Sequence, residues 1–275
     1  MIDRYLHHEE EEAREIETLA AGLKAISTWH TTDTLQECRE ATGGQGYLAV
    51  NRMADMKADT DIYTTFEGDN YVLLQLVAKA QLSDFRAGFR SLYFFGILNT
   101  LAKRAANSLA DKNPISKSKS DPEHLRDANF QLDAFKDRED DLVWQTAQEM
   151  KKLIDGGMDS FDAFLEVQPQ LLAMAKAYIH RFVLIQFVEA IEKVEDPSIK
   201  LVLEKLRSLY ALNELNMDKG WYLEEGYFDG SKAKAIQEEV IKLCKELKPE
   251  VLGLVDSFGI PDSLLAAPIA LEGNT

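Results

Sequence analysis

Apolar positions recur at helical spacing along most of the chain. Ile16, Leu19, Leu23 and Ile26 step by three and four residues, which puts one apolar stripe on a helix predicted over residues 9–30. Glu9 to Glu12 open that helix with the charge its N-terminal dipole favours. Thr31-Thr32-Asp33 reads as the cap of a second, short helix, Thr34 to Ala41, which a glycine-rich turn ends. Residues 48–64 are polar and charged and predict an ordered loop with one helical turn. From Gly68 onward, Tyr71, Val72, Leu73, Leu74, Leu76, Val77 and Ala78 are apolar nearly all round, the pattern of a helix buried on most sides. Ser83-Asp84 and Gly88 are expected to break it. Phe89, Leu92, Tyr93, Phe94, Phe95, Ile97, Leu98 and Leu101 follow as a second thick apolar segment, expected in the core.

The pattern changes at residues 107–122, where Asn113-Pro114 and the run Ser116 to Pro122 make a polar, lysine–serine loop. Helical spacing resumes over 123–154, with Leu125, Phe130, Leu132, Phe135, Leu142 and Val143, until Asp155-Gly156-Gly157 stops it. A helix over about 160–194 carries the apolar core of the second half, and Pro169 is a point where it divides. Asp196-Pro197 opens the next helix, with proline in its first turn. Gly220 to Gly230 reads as a loop rich in aromatics and acids. The last helix is predicted from Ser231 to Ser257, with Pro249 late in it. No segment alternates over the length of a strand. The expectation is an all-α chain: a partial helical bundle over residues 1–111, a linker over 112–122 and a second helical domain over 123–275.

Composition narrows the class. A chain of 275 residues with 45% hydrophobic content can bury one large core or two smaller ones. A net charge of −16 repels the phosphates of nucleic acid and of anionic membranes, so neither is an expected partner. Cys38 and Cys244, far apart, suit a reducing compartment, with Cys38 expected as a buried thiol. Met1-Ile2-Asp3-Arg4-Tyr5 has no secretory pattern. The richest apolar run, 178–191, contains His180, Arg181 and Glu189, which argues against membrane insertion. Gly273-Asn274-Thr275 is not the Ser-Lys-Leu peroxisomal address, which leaves the cytoplasm, in a bacterium, as the expected compartment.

Candidate chemistry concentrates between Cys38 and Asn70. Cys38-Arg39-Glu40-Ala41-Thr42-Gly43-Gly44-Gln45-Gly46-Tyr47 puts three glycines in four positions, where backbone can approach a ligand or take positive φ. On its own this fits a helix-ending turn equally well. Thr65-Phe66-Glu67-Gly68-Asp69-Asn70 sets a carboxylate between an aromatic and a glycine at a helix entrance, the place of a cap or of a tuned base. Histidines supply no metal site: His7 and His8 are adjacent and point apart on a helix, and His30, His124 and His180 lack companions at ligand spacing. No P-loop, serine nucleophile elbow or H-E-x-x-H sequence occurs.

Both segments resemble the C-terminal part of acyl-CoA oxidases, flavin enzymes of the acyl-CoA dehydrogenase superfamily. That family reads Cys-Arg-Glu, two variable residues, Gly-Gly, one variable residue, Gly-Tyr, and then Thr-Phe-Glu-Gly, an acidic residue, Asn. The ending Leu254-Val255-Asp256-Ser257-Phe258-Gly259-Ile260-Pro261 with Leu264 to Ile269 resembles the family's tail. The resemblance covers nearly the whole chain and lacks the family's amino-terminal helical and β domains, which hold much of the flavin.

The resemblance implies an acyl-CoA substrate, FAD as cofactor and Glu67 as the base that takes a proton from Cα of the thioester while hydride leaves Cβ, giving the 2,3-enoyl-CoA. Burial beside Phe66, flavin and acyl chain would disfavour the charged carboxylate and strengthen it as a base. The family's donors to the thioester oxygen are the backbone N–H of this glutamate and a flavin hydroxyl, and Gly68 leaves room for the substrate. Glu40, Gly43, Gly44 and Gly46 match the flavin-contacting loop, which in the family reaches the dinucleotide of a neighbouring subunit, and the cofactor side extends to Asp69 and Asn70. Gln45 stands where animal peroxisomal members often carry histidine. Asp69 replaces the threonine usual in dehydrogenases, which favours oxygen as acceptor, with hydrogen peroxide as product. The apolar segment after Gly88 could wall an acyl chain. Two alternatives stay open: a dehydrogenase using an electron-transfer flavoprotein, and a non-catalytic assembly subunit. The expected partners are a second copy or an amino-terminal flavin-domain chain.

Overall fold

The computed structural model of the chain describes residues 10–89 and 119–271. The N-terminal residues with His7 and His8, the apolar run Leu92 to Leu101, most of the 112–122 linker and the last four residues lie outside them. Every regular element among the described residues is helical, as the apolar spacing predicts. In order they are α1 (Glu10–Ala41), α2 (Met53–Asp61), α3 (Asn70–Phe89), α4 (Pro122–Arg126), α5 (Ala128–Asp155), α6 (Ser160–Glu166), α7 (Gln168–Glu192), α8 (Pro197–Met217), α9 (Lys219–Glu224), α10 (Gly230–Leu247), α11 (Val251–Asp256) and α12 (Pro268–Leu271), with 3₁₀ turns between several of them.

Several boundaries differ from those read in the sequence. The predicted break at Thr31-Thr32-Asp33 is absent from α1. The two threonine hydroxyls donate to the carbonyls of Ser27 (2.9 Å) and Thr28 (3.0 Å), one turn back, instead of capping a new helix. The polar stretch after the glycines is more helical than expected, with 3₁₀ turns at Ala49–Asn51 and Ile62–Thr64 around α2. α3 runs through Ser83-Asp84 unbroken. The division expected near Pro169 is present: α6 ends at Glu166 and α7 begins at Gln168, with the proline in its first turn, where its missing N–H costs no bond. Aspartates cap the later helices as local chemistry dictates. The Asp127 carboxylate accepts from Asn129 N (3.0 Å) and Asp196 from Ser198 N (2.8 Å).

The described chain forms two compact units, each built from separated segments. The first gathers residues up to Gln81, Asp159–Ile179 and the chain from Gly253; the second gathers Leu82–Met158 and His180–Leu252. A single boundary at 112–122 does not describe this arrangement, because α7 contributes its first half to one core and its second half to the other. In the first unit, Ile16, Leu19 and Ala25 of α1 are buried with Leu74, Val77 and Ala78 of α3 and Leu171, Met174 and Ile179 of α7. Gly22 permits this closeness: a Cβ there would stand 2.3 Å from Ile179 Cδ1 and 3.2 Å from Val77 Cγ2. In the second unit, Phe135, Leu184, Leu212, Leu215, Tyr222, Phe228, Ile236 and Leu243 share one core, and the Tyr222 hydroxyl donates to Ala134 O at 3.0 Å. Arg126 fastens α4 to α10 by paired bonds to Glu246 (2.8 and 3.0 Å) and one to Glu239 (2.6 Å).

α7 is long and apolar enough, by length and composition, to cross a membrane. Leu171, Met174, Ile179 and Leu184 along it are nevertheless fully buried in protein, and its Arg181 pairs with Glu139 at 2.9 Å, the behaviour of a core helix. Two expectations of burial fail. Tyr71, Val72 and Leu76 of α3 are 54%, 60% and 47% exposed, so that helix is buried on one face only. Cys38 is exposed on α1, and so is Cys244.

Candidate functional site

The two sequence segments that carry candidate chemistry belong to the first unit. The glycine turn, Gly43–Tyr47, is a 3₁₀ turn at the end of α1. Gly43 has φ +57, a left-handed conformation that glycine adopts without a Cβ penalty. Gly44 is exposed, and around both glycines nothing lies within 4 Å of where a Cβ would stand. Gly46 does a different job: it is buried, and a Cβ would stand 2.1 Å from Arg39 O and 2.4 Å from Thr42 Oγ1. Glu40, one turn before, is exposed, accepts from the Gln36 amide and lies 3.8 Å from the Arg39 guanidinium. Gln45 is tied down by Asn51, whose Nδ2 donates to Gln45 O (2.9 Å) and Oε1 (3.0 Å).

The carboxylate turn lies between the 3₁₀ turn Ile62–Thr64 and α3. Glu67 has φ +55 and Gly68 φ +103, so two successive residues are left-handed. The first is an uncommon place for a glutamate. A Cβ at Gly68 would press within 2.9 Å of Leu73 Cδ2. Asp69 opens α3, its Oδ1 accepting from Tyr71 N at 2.9 Å. The turn is held from α1 by Lys24, whose ammonium donates to Gly68 O (2.7 Å) and Asn70 Oδ1 (2.8 Å). Asn70 is 1% exposed, and its Nδ2 donates to Ala25 O (3.2 Å) and Thr28 Oγ1 (2.9 Å).

This corrects two sequence expectations. Asn70 does not present its amide to a ligand: both ends are used against α1, and it acts as the clasp between α1 and α3. Glu67 is not buried within this chain. It is exposed, and Phe66 beside it is 43% exposed, packed on Tyr63 at 5.2 Å between ring centroids. The turn sits at the entrance to α3, outside the α1–α3–α7 core. Sequence reading also missed Lys24 and Asn51, because their partners are 44 and more residues away for Lys24 and, for one bond of Asn51, 218 residues away. The available signal was a lysine interrupting the apolar register of α1.

Both turns are bordered by apolar surface: Tyr47 and Val50 near the glycines are 79% and 58% exposed, and Ile62, Tyr63 and Tyr71 flank the carboxylate turn. Open backbone at Gly43 and Gly44 beside an exposed aromatic fits one face of a flavin dinucleotide, and its full exposure fits no enclosure of one. Among the described residues no group of three or more metal-ligating side chains occurs. His124 lies 3.3 Å from Lys232 Nζ, and His180 Nδ1 lies 2.9 Å from the Tyr210 hydroxyl.

Among the described residues the site is thus an anchored carboxylate turn and an open glycine turn on an all-helical frame. The profile of the acyl-CoA oxidase family matches residues 127–273, and that of the acyl-CoA oxidase C-alpha1 domain matches residues 2–82. The chain belongs to the acyl-CoA oxidase family. It is 36% identical over 267 residues to the peroxisomal acyl-coenzyme A oxidase 2 of Arabidopsis thaliana, a match covering 97% of this chain and 38% of that relative. Acyl-CoA oxidase 1 of Yarrowia lipolytica superposes with a TM-score of 0.78 at 28% identity, over 94% of this chain and 37% of that one. Acyl-CoA oxidase-2 of Caenorhabditis elegans, solved with FAD, ascaroside-CoA and ATP, shares the fold with a TM-score of 0.79 at 20% identity, over 96% and 38% of the two chains. The chain thus spans well under half the length of these relatives. The plant relative is named as peroxisomal, whereas the residues here gave the cytoplasm as the expectation.

Proposed function

We propose that this chain is the helical portion of an FAD-dependent acyl-CoA oxidase, and that Glu67 is the base that takes the Cα proton of an acyl-CoA thioester. The observation that carries the reading is the geometry of the carboxylate turn. A glutamate is kept at φ +55, where glycine would fit more easily, by a lysine and a buried asparagine that fasten the following residues to α1. Strain held by a dedicated clasp is a mark of function more than of stability. Gly68, with no side chain, lets a thioester approach, and the backbone N–H of Glu67 is available to its oxygen as negative charge develops there. Gly43, Gly44 and Glu40 take the cofactor side, Gly46 packs the turn, and Asp69 orders the start of α3. FAD, when held there, would supply the hydride acceptor and the route of the electrons to dioxygen, with hydrogen peroxide as the product. The first unit then serves as the flavin-closing part and the second as the supporting helical part.

The exposure of Glu67 bears on what the chain does alone. A base needs water excluded around it, and exposed Phe66, Tyr63 and Tyr71 supply only one wall. The isolated chain is therefore expected to be inactive, with the rest of the enclosure supplied by an amino-terminal flavin-bearing portion, in the same polypeptide or as a partner, and by a second copy. The test is anaerobic flavin reduction by acyl-CoA in the assembled protein carrying Glu67→Gln. Reduction slowed by several orders of magnitude, with FAD still bound, is the expected result. Unchanged reduction removes Glu67 from the role of base.

A further inference from the structure

The clasp on the glycine turn comes from the other end of the chain. Asn51 is 1% exposed, and every polar atom of its amide is used. Its Nδ2 donates to Gln45 O and Gln45 Oε1, inside the glycine turn, and its Oδ1 accepts from the Ile269 backbone N–H at 3.1 Å. That donor belongs to α12, where Pro268 and Ile269 are half-buried while Asp262, Ser263 and Leu264 before them are exposed. One side chain therefore bridges the Gln45 backbone to that of Ile269, a residue 218 positions beyond Asn51 itself. Without it, the Ile269 amide and the Gln45 carbonyl would each lose a partner. The turn also rests on the end of α1, where Gly46 stands against Arg39 O and Thr42 Oγ1. Leu48 N donates to Gln45 O (3.2 Å) and Arg52 N to Ala49 O (3.0 Å), both short-range bonds, while Gly43 and Gly44 bring backbone freedom and no side chain.

We infer that Asn51 is a positioning residue, and that α12 is a strap which, through it, sets the shape of the glycine turn for the dinucleotide. The turn's ability to hold a cofactor then depends on the carboxyl-terminal segment being docked, although that segment touches no catalytic group. The inference rests on the proposed role of the turn as a flavin contact, and the experiment separates the two. Hydrogen exchange of the full chain is compared with that of Asn51→Ala, of Asn51→Asp and of a variant ending after Pro261. Asn51→Asp keeps the acceptor for Ile269 N and loses both donors to Gln45.

In Asn51→Ala and in the shortened chain, exchange at the amides of Leu48 and Arg52 is expected to speed up tenfold or more, with α5, α8 and α10 unchanged. In Asn51→Asp the turn is expected to loosen while α12 keeps its protection. Turn amides that exchange at the wild-type rate in the shortened chain and in Asn51→Ala would overturn the strap. The same variants are then measured for FAD affinity in the flavin-loaded protein, at equal thermal midpoint. A weakened FAD affinity, with kcat per bound flavin retained, is expected. A loosened turn with unchanged FAD affinity leaves the strap standing and removes the glycine turn from the cofactor site.

Discussion

Glu67, like Arg52 at φ +60, holds a left-handed backbone without being glycine, and Lys232 is a buried lysine. A glutamate at φ +55 carries a backbone penalty of roughly 1 kcal/mol, which glycine would not. Glu67→Gly in the isolated chain is therefore expected to leave the thermal midpoint unchanged or raise it by a degree or two, offset in part by the freer unfolded chain. A clear fall would mean that the side chain stabilises the fold. Lys232 is 3% exposed, its ammonium lying 4.2 Å from the Phe130 ring centroid, 5.4 Å from that of Phe228 and 3.3 Å from His124 Nε2, with Asp229, Asp121 and Lys119 as the charged neighbours. Burial lowers its pKa to about 8, and burial followed by the Lys232 charge holds His124 below its ordinary value. Both groups favour the neutral form on folding. The stability they contribute is thus present at high pH, falls between about 10.5 and 8 as Lys232 charges, and falls again below 6.5 as His124 protonates. Lys232→Met should flatten the alkaline slope and raise the midpoint at pH 7, as followed by thermal melts from pH 5 to 10. Nothing in the local sequence announces this pair, because His124 and Lys232 are 108 residues apart. Glu67, by contrast, stood out in the sequence between Phe66 and Gly68 as a cap or a base, the base role coming only with the family resemblance, and its exposure was not legible.

Among the elements, α1 does most to position the site, and it also shows where reading by pattern succeeds and fails. Its apolar stripe was plain from Ile16, Leu19, Leu23 and Ile26, and the packed side follows that stripe. Its continuity through Thr31-Thr32-Asp33 was not, because a threonine that could cap a helix can also bond back to the preceding turn. α3 misled in the other direction: apolar residues all round predicted burial all round, yet Tyr71, Val72 and Leu76 stay exposed. A periodicity count reports which faces can be buried and is silent on what covers them. The α1–α3 clasp gives a direct test. Asn70→Ala leaves Ala25 O and Lys24 without their buried partner, and a loss of about 2–3 kcal/mol in a denaturant titration is expected. Gly44→Ala, where space is open and φ is not positive, should cost less than about 0.5 kcal/mol. Any loss of FAD affinity in that variant would then come from contact with the ligand and not from misfolding.

At the scale of the whole molecule, the exposed apolar side chains and the length of the relatives lead to one expectation. Tyr47, Val50, Ile62, Tyr63, Phe66, Tyr71, Val72 and Leu76 are each more than 40% exposed, in the same unit and next to the two turns. Single exposed apolar residues are ordinary on a protein surface, but a group of this kind around functional turns marks a face made to be covered. The Arabidopsis relative carries more than half of its length outside the matched part. Covering that face with a counterpart of what the relative carries outside the match would do two things at once: remove apolar surface from water and close the space around Glu67. The isolated chain should accordingly bind a hydrophobic dye, purify without flavin colour and show no acyl-CoA-dependent peroxide. Mixing it with a flavin-bearing amino-terminal portion of a related oxidase should suppress the dye signal and restore peroxide formation together. Val72→Lys with Leu76→Glu, changes on the exposed face of α3 that leave Tyr71 on Trp29 and Leu74 and Val77 in place, should block both recoveries without lowering the midpoint of the chain itself. If activity returned in that double variant, the apolar face would not be the docking surface, and cover for Glu67 would have to come from another part of the assembly.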